Sequence, residues 1–339
     1  MSERLHVILD EHGLSLGKRS ERLVVRRRKD TLREVPFHDV EQITLAGNGI
    51  SISTDVLYQC VQHGVQVNML LPTGQPYAKI ISPIMLGTVQ TRRQQLLAYY
   101  DQRGVSLATA FAAGKIRNQI NLLKYFAKYR RKARPDTFAR IMAAVSEMEA
   151  ILARADEHTG SNVDEVRPRL MAMEGQAARH YWEMVGELLP KSLSFTGRVQ
   201  RGATDPVNSM LNYGYGILYN ECWGALLNAG LEPFAGFLHV DRPGKPSLVL
   251  DFVEEFRQPT VDRPIFSALN RNYRPSMKDG QLAATARREV AQIVLDRLET
   301  QVRYGGKKYR LRTIIQMQAR AIAAFLREER RYRPFIGSW

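Results

Sequence analysis

The sequence predicts an α+β protein: a small N-terminal β-sheet or sandwich domain followed by a larger domain made only of α-helices. Three observations carry this. The chain has 339 residues, 44% of them hydrophobic, which is more than one core usually accommodates. Short alternating or β-branched runs cut by turn residues fill residues 1–83. From residue 84 onward the apolar spacing becomes helical.

The expected strands are Leu5–Leu9, Leu14–Leu16, Leu23–Arg27, Val35–Phe37 and Val40–Leu45. His12-Gly13, Gly17-Lys18, Lys29-Asp30 and Gly47-Asn48-Gly49 punctuate them. Ser53-Thr54-Asp55 offers caps for a short amphipathic helix through Val61. Val65–Leu71 is a further strand, closed by Pro72-Thr73-Gly74, and the stretch from Ile80 to Ile84 around Pro83 reads as a linker. Helices are expected over 89–104, 106–132, 136–156, 165–190, 206–229, 249–270, 281–302 and 311–330. The helical domain is thus 84–326. The basic tail, 327–339, has no helical period after Pro334 and is expected to be mobile or to fold only on a partner.

Net charge is +15. Residues 1–86 hold 10 Lys/Arg against 9 Asp/Glu, so nearly all the excess lies in the later part. That asymmetry points to a polyanion partner, and with no lipidation signal nucleic acid leads over a membrane. No apolar run is long enough to span a bilayer, and the N-terminus turns polar too soon for a secretory signal. Cys60 and Cys222 sit in apolar helix-like contexts and read as buried thiols. A cytoplasmic location is expected. CxxC, HExxH, Walker A and Gly-x-Ser-x-Gly patterns are all missing, which leaves zinc-finger, zincin, P-loop and serine-hydrolase readings without support.

Three segments place ionisable side chains inside apolar runs. Glu174 lies among Leu170, Met173, Ala177 and Ala178; His239 follows Gly236-Phe237-Leu238; Asp251 and Glu254 follow Ser247-Leu248-Val249-Leu250. A buried charge needs a partner, and one divalent cation satisfies several at once. Each residue also has a plain structural reading. Glu174 suits a surface pair with Arg179, His239 a turn histidine bonded to backbone, and the acidic pair a helix first turn that complements the dipole. Asp251 fits the N-cap of that helix, with Glu254 as metal ligand and Asp251 as supporting or alternative ligand. Oxygen and nitrogen donors without thiolates suit Mg²⁺ or Mn²⁺.

Residues 115–134 contain eight basic side chains and no acidic one. With Leu, Ile and Phe facing a core, its Lys and Arg would face outward, toward phosphates or simply toward water. Lys124, Lys128, Arg130 and Arg131 are the candidate DNA contacts here, and Arg198 and Arg201 those of the polar loop before Asp205-Pro206. A carboxylate–histidine cluster in a basic protein points to phosphodiester chemistry. The competing classes are a non-catalytic nucleic-acid-binding scaffold and a structure-specific nuclease acting on branched DNA or RNA.

The chain resembles the CRISPR-associated endonuclease–integrase, the Cas-one family of spacer acquisition. The resemblance rests on Glu174-Gly-Gln-Ala-Ala-Arg179-His-Tyr-Trp182, Asp205-Pro-Val-Asn208 with Leu211-Asn-Tyr-Gly-Tyr215, Ala229-Gly-Leu-Glu-Pro233 leading to Gly236-Phe-Leu-His239, and Ser247 through Arg257. The closing Tyr309–Ala319 helix fits, and Ile43–Gly47 with Ile50, Leu57, Cys60 and Gly64-Val65 extends it weakly to the start. Where the family often carries a Pro pair ahead of the Asp-Pro-Val-Asn block, this chain has Gly202-Ala203. The resemblance implies that the helical domain is catalytic and that the β domain forms a homodimer. It implies metal ligands at Glu174, His239 and Glu254 with Asp251 as the nearby acid, and Mg²⁺ or Mn²⁺ as cofactor. It also implies a complex with the small Cas-two protein, and protospacer and CRISPR-repeat DNA as substrates for joining 3′-hydroxyl ends.

Overall fold

The computed structural model describes residues 5–71, 74, 76–80, 89–154 and 160–338. The chain divides into two compact units, Met1–Met85 and Leu86–Trp339. The expected linker lies, apart from Ile80, outside the described residues.

The first unit holds two four-stranded sheets. One has the order β1 (Leu5–Leu9), β5 (Val40–Ala46), β7 (Gln66–Leu70), β8 (Pro76–Ile80). The other runs β4 (Asp30–Pro36), β3 (Arg22–Arg27), β2 (Leu14–Arg19), β6 (Ser51–Ile52). Val7, Leu9, Leu16, Leu23, Val35, Ile43 and Val67 are buried in one core between them. The sheets are mixed: β1 pairs β5 in parallel, and β5 pairs β7 in parallel. The helix α1 (Thr54–His63) makes the β5-to-β7 crossover, and such a parallel return requires a crossover of this kind. Ser53 caps α1, and Gly64, at φ 67°, ends it in the left-handed region that glycine adopts at little cost.

The second unit is almost wholly helical. After α2 (Val89–Ala98), Asp101 caps α3 (Gln102–Ala127), its carboxylate accepting from Arg103 N–H at 2.8 Å. The long α3 packs against α4 (Pro135–Ala153) and α5 (Val163–Leu188). A second group packs around α6 (Pro206–Asn228), which Asp205 caps with Pro206 in the first turn. It includes α7 (Ser247–Val253), α9 (Ala284–Glu299) and α10 (Leu311–Leu326).

Three expectations change. The helix expected over 249–270 breaks into α7, a π turn at Gln258–Asp262 and α8 (Arg263–Asn270), because Pro259 offers no N–H to the ladder. Two small hairpins interrupt the helices: β9 (Met277–Lys278) with β10 (Gln281–Leu282), and β11 (Gln301–Tyr304) with β12 (Lys307–Arg310). The tail, expected to be mobile, is seated over residues 327–338. Phe335 is 3% exposed and stacks on Phe256 with centroids 5.4 Å apart. Its N–H donates to Glu255 at 2.9 Å and its carbonyl accepts from Asn118 at 2.9 Å. A Cβ on Gly114 would come within 2.8 Å of Pro334, so the seat needs that glycine. Among the described residues no helix is long and apolar enough to cross a membrane.

Candidate metal centre

The loop that carries His239 is fixed from three sides. Gln95 of α2 donates to the carbonyls of Glu232 and Ala235 at 2.9 and 2.7 Å and accepts from Glu232 N–H at 2.8 Å. Arg167 of α5 donates to the Phe237 carbonyl at 3.3 Å. Ser247, at the start of α7, accepts from Gly236 N–H at 2.9 Å and donates to the Phe234 carbonyl at 2.7 Å. A side chain at position 236 would clash with the Ser247–Leu248 backbone, 2.6 Å from its Cβ, so this close approach requires glycine.

Asp251 closes the arrangement. It is not the N-cap: α7 begins at Ser247, right after Pro246, so Asp251 lies inside the helix and is wholly buried. Its Oδ2 accepts from Phe237 N–H at 2.6 Å and Leu238 N–H at 2.9 Å. Its Oδ1 accepts from His239 N–H at 2.8 Å and lies 2.7 Å from His239 Nδ1. With Nδ1 protonated toward this carboxylate, Nε2 presents a lone pair. Asp251 is therefore a positioning group, its lone pairs taken up by the loop.

Glu174 of α5 and Glu254, one residue past α7, converge on a single cation, Lys115 of α3. Lys115 Nζ contacts Glu174 Oε1 and lies 2.8 Å from Glu254 Oε2. The approach to Oε2 is poorly directed, and that buried oxygen has no well-formed hydrogen bond. Arg257 reaches the other oxygen, Oε1, at 3.2 Å, and its guanidinium lies over the Tyr215 ring, 4.9 Å from the centroid. Burial alone would raise the Glu254 pKa, but Arg257, Lys115 and His239 outweigh it and bring it down to about 2. Burial alone would likewise lower that of Lys115, but Glu254 and Glu174 outweigh it and the ammonium is held protonated.

Among the described residues no three His, Cys, Asp or Glu side chains stand close enough to share an ion. The donor chemistry nevertheless fits a divalent cation. Two carboxylates already meet at one positive charge, a buried carboxylate oxygen lacks a directed partner, and a histidine is oriented by a buried acid.

Lys115 was not among the expected site residues. It lies in the basic stretch whose charges were expected to face outward, yet it points inward. The small-residue run Ala112-Ala113-Gly114 before it, which lets another element approach closely, is the signal that could have found it.

The expected DNA contacts divide. Arg131 and Arg201 are exposed. Lys128 is exposed and lies over the Tyr125 and Tyr129 rings, and Lys124 pairs with Glu149 at 2.6 Å. Arg130 and Arg198 differ from expectation. Arg130 donates to the carbonyls of Phe126 and Leu188 at 3.0 and 2.6 Å, closing the ends of two helices. Arg198 donates to Asn208 Oδ1 at 3.0 Å and lies over Trp182 and Tyr215, fastening its own loop to α6. Both are half-buried and their guanidinium groups bond to the protein itself.

Comparison with known proteins gives this geometry a context. The sequence model of the family described as CRISPR associated protein Cas1 matches residues 7–298. The chain is 37% identical over 347 residues to "CRISPR-associated endonuclease Cas1 1" of Archaeoglobus fulgidus, covering 99% of this chain and 100% of that protein. It is 33% identical over 328 residues to "CRISPR-associated endonuclease Cas1" of Korarchaeum cryptofilum, covering 95% and 94%. Among solved structures, a casposase bound to integration product has a TM-score of 0.80 at 21% identity, covering 97% of this chain and 92% of that one. A Cas1 protein from Thermotoga maritima has a TM-score of 0.78 at 19% identity, covering 98% and 100%. At those identities the structures speak to the fold, and the sequence relatives speak to kinship. Taken with the family match over nearly its whole length, they show that the chain belongs to the Cas1 family of CRISPR-associated endonucleases.

Proposed function

We propose that Glu174, His239 and Glu254 hold Mg²⁺ or Mn²⁺, and that this Cas1 protein uses the site to join 3′-hydroxyl ends of new spacer DNA into a CRISPR array. The observation that carries the reading is the meeting of two carboxylates from different helices at one cation, beside a histidine whose ring is set by Asp251. A divalent cation there would act as a Lewis acid on the target phosphate and favour charge building up on its oxygens. The protein's own part is positional. Glu254, ionised far below neutral pH, supplies fixed negative charge, and Asp251 keeps His239 Nε2 available. Arg257 stays on Glu254 and limits its rotation. With a DNA 3′-hydroxyl as nucleophile the outcome is strand joining, and with water it is cleavage.

The substrates are protospacer and repeat DNA, which places the work in the cytoplasm beside the chromosome. The partners are a second copy of this chain and the Cas2 protein. A solved Cas6-RT-Cas1–Cas2 complex that shares this fold, at a TM-score of 0.78, makes such an assembly the natural one to test. The test is a joining assay on supercoiled plasmid with Cas2, short duplex DNA and Mg²⁺ or Mn²⁺. Joining should need free 3′ ends and stop with EDTA, and Glu174→Ala and His239→Ala should abolish it while DNA binding persists. Joining that survives EDTA or both substitutions would overturn the metal-site reading, and a protein that binds DNA but never joins it under any condition would belong to the scaffold class.

A further inference from the structure

The two glutamates already have counter-charges without any metal. Glu174 and Glu254 face Lys115 and Arg257, two negative against two positive charges. The two cations are not equivalent. Arg257 is held over the Tyr215 ring and sits on the Glu254 oxygen that faces away from Lys115, whereas Lys115 reaches the carboxylates from α3 on a flexible four-carbon stem. Lys115 alone touches both carboxylates that the reading above assigns to the ion. A buried Glu254 and a half-buried Glu174 without such a counter-charge would strain the metal-free fold, because an unpaired buried charge is far more costly than a paired one.

We propose that Lys115 is a resident stand-in for the divalent cation: its ammonium holds Glu174 and Glu254 together in the metal-free protein and has to leave their midpoint when the ion enters. The consequence is a site that folds without metal and binds it weakly enough to exchange. The inference rests on the metal-site reading.

The experiment measures Mn²⁺ binding by titration calorimetry on the full-length chain, for the wild type, Lys115→Met, Lys115→Gln and Glu174→Gln. The wild type should bind Mn²⁺ and Glu174→Gln should lose it. Both Lys115 variants should bind at least about tenfold tighter, which corresponds to about 1.4 kcal/mol. In EDTA the Lys115 variants should melt below the wild type, and saturating Mn²⁺ should close that gap. If the wild type binds Mn²⁺ through Glu174 but the Lys115 variants bind equally or more weakly, the stand-in role falls and the metal site survives. If the wild type takes up no Mn²⁺, both fall together. Should neither variant fold, the wild type still decides the matter. Acetylation of Lys115 by acetic anhydride, followed by peptide mass spectrometry, should rise on adding Mn²⁺, and unchanged labelling would overturn the proposal.

Discussion

Asp251 Oδ1 lies 2.7 Å from His239 Nδ1, and the same carboxylate accepts the backbone N–H groups of residues 237, 238 and 239. One buried acid therefore sets both the ring of the histidine and the path of its loop. Asp251→Asn keeps the shape and removes the charge. Groups that orient a metal-binding histidine are worth about 10–100-fold in metal affinity or activity. A loss of that size is expected in Mn²⁺ affinity and in joining rate, while circular dichroism shows a folded chain. Unchanged Mn²⁺ affinity would mean that the ring is oriented by something else.

Glu255 makes stability depend on pH. Burial pushes its carboxyl up to about 8, despite the hydrogen bonds from Tyr332 and Phe335 N–H that partly oppose this. Between the ordinary carboxylate range and about pH 8, the folded chain keeps a proton that the unfolded chain has released. This contribution is whole at acid pH and is lost as pH rises through that window, by up to about 1.4 kcal/mol per unit. Urea denaturation of Glu255→Gln should give a flatter stability profile between about pH 5 and about pH 8 than the wild type. Parallel profiles would contradict the assignment.

The seated tail contributes to the core behind the site. Tyr332 and Phe335 bond Glu255, next to Glu254, while Pro334 lies against Gly114, next to Lys115. Phe335→Ala should cost about 3–5 kcal/mol in urea denaturation, the usual range for a buried phenylalanine. A mobile tail would show no measurable change.

Salt dependence would separate basic residues free to meet phosphate from those already bonded within the protein. Lys128→Ala, Arg131→Ala and Arg201→Ala should each reduce the slope of log affinity for DNA against log salt by about 1. Arg130→Ala should leave that slope alone and lower thermal stability instead, because its bonds go to the Phe126 and Leu188 carbonyls. If Arg130→Ala flattened the slope as much as Arg131→Ala, the division made from these contacts would be mistaken.

Much of this was legible in the chain itself. The strand Leu5–Leu9 and the start of α6 at Pro206 follow from alternation and from an Asp-Pro cap. Glu174 and His239 stood out because a charge or an imidazole in an apolar run has to be accounted for. The Gly305-Gly306 turn between Gln301–Tyr304 and Lys307–Arg310 also signals a hairpin, although the lysines and arginines around it hide the pattern. Asp251 was expected at the helix N-cap and as a supporting or alternative ligand; it lies inside α7, and its carboxylate accepts from the loop at residues 237–239, which no local pattern reveals.

By itself the sequence determined the class of fold, the helical character of the second unit and which ionisable side chains stand inside apolar runs, because periodicity, caps and the company a charge keeps are written locally. Only the tertiary structure decided that Lys115 turns inward between Glu174 and Glu254, that Arg130 and Arg198 bond to groups of the protein itself, and that the tail is seated. The reason is physical: what a charged side chain does depends on which opposite charge or carbonyl packing brings to it, and those partners lie far apart along the chain.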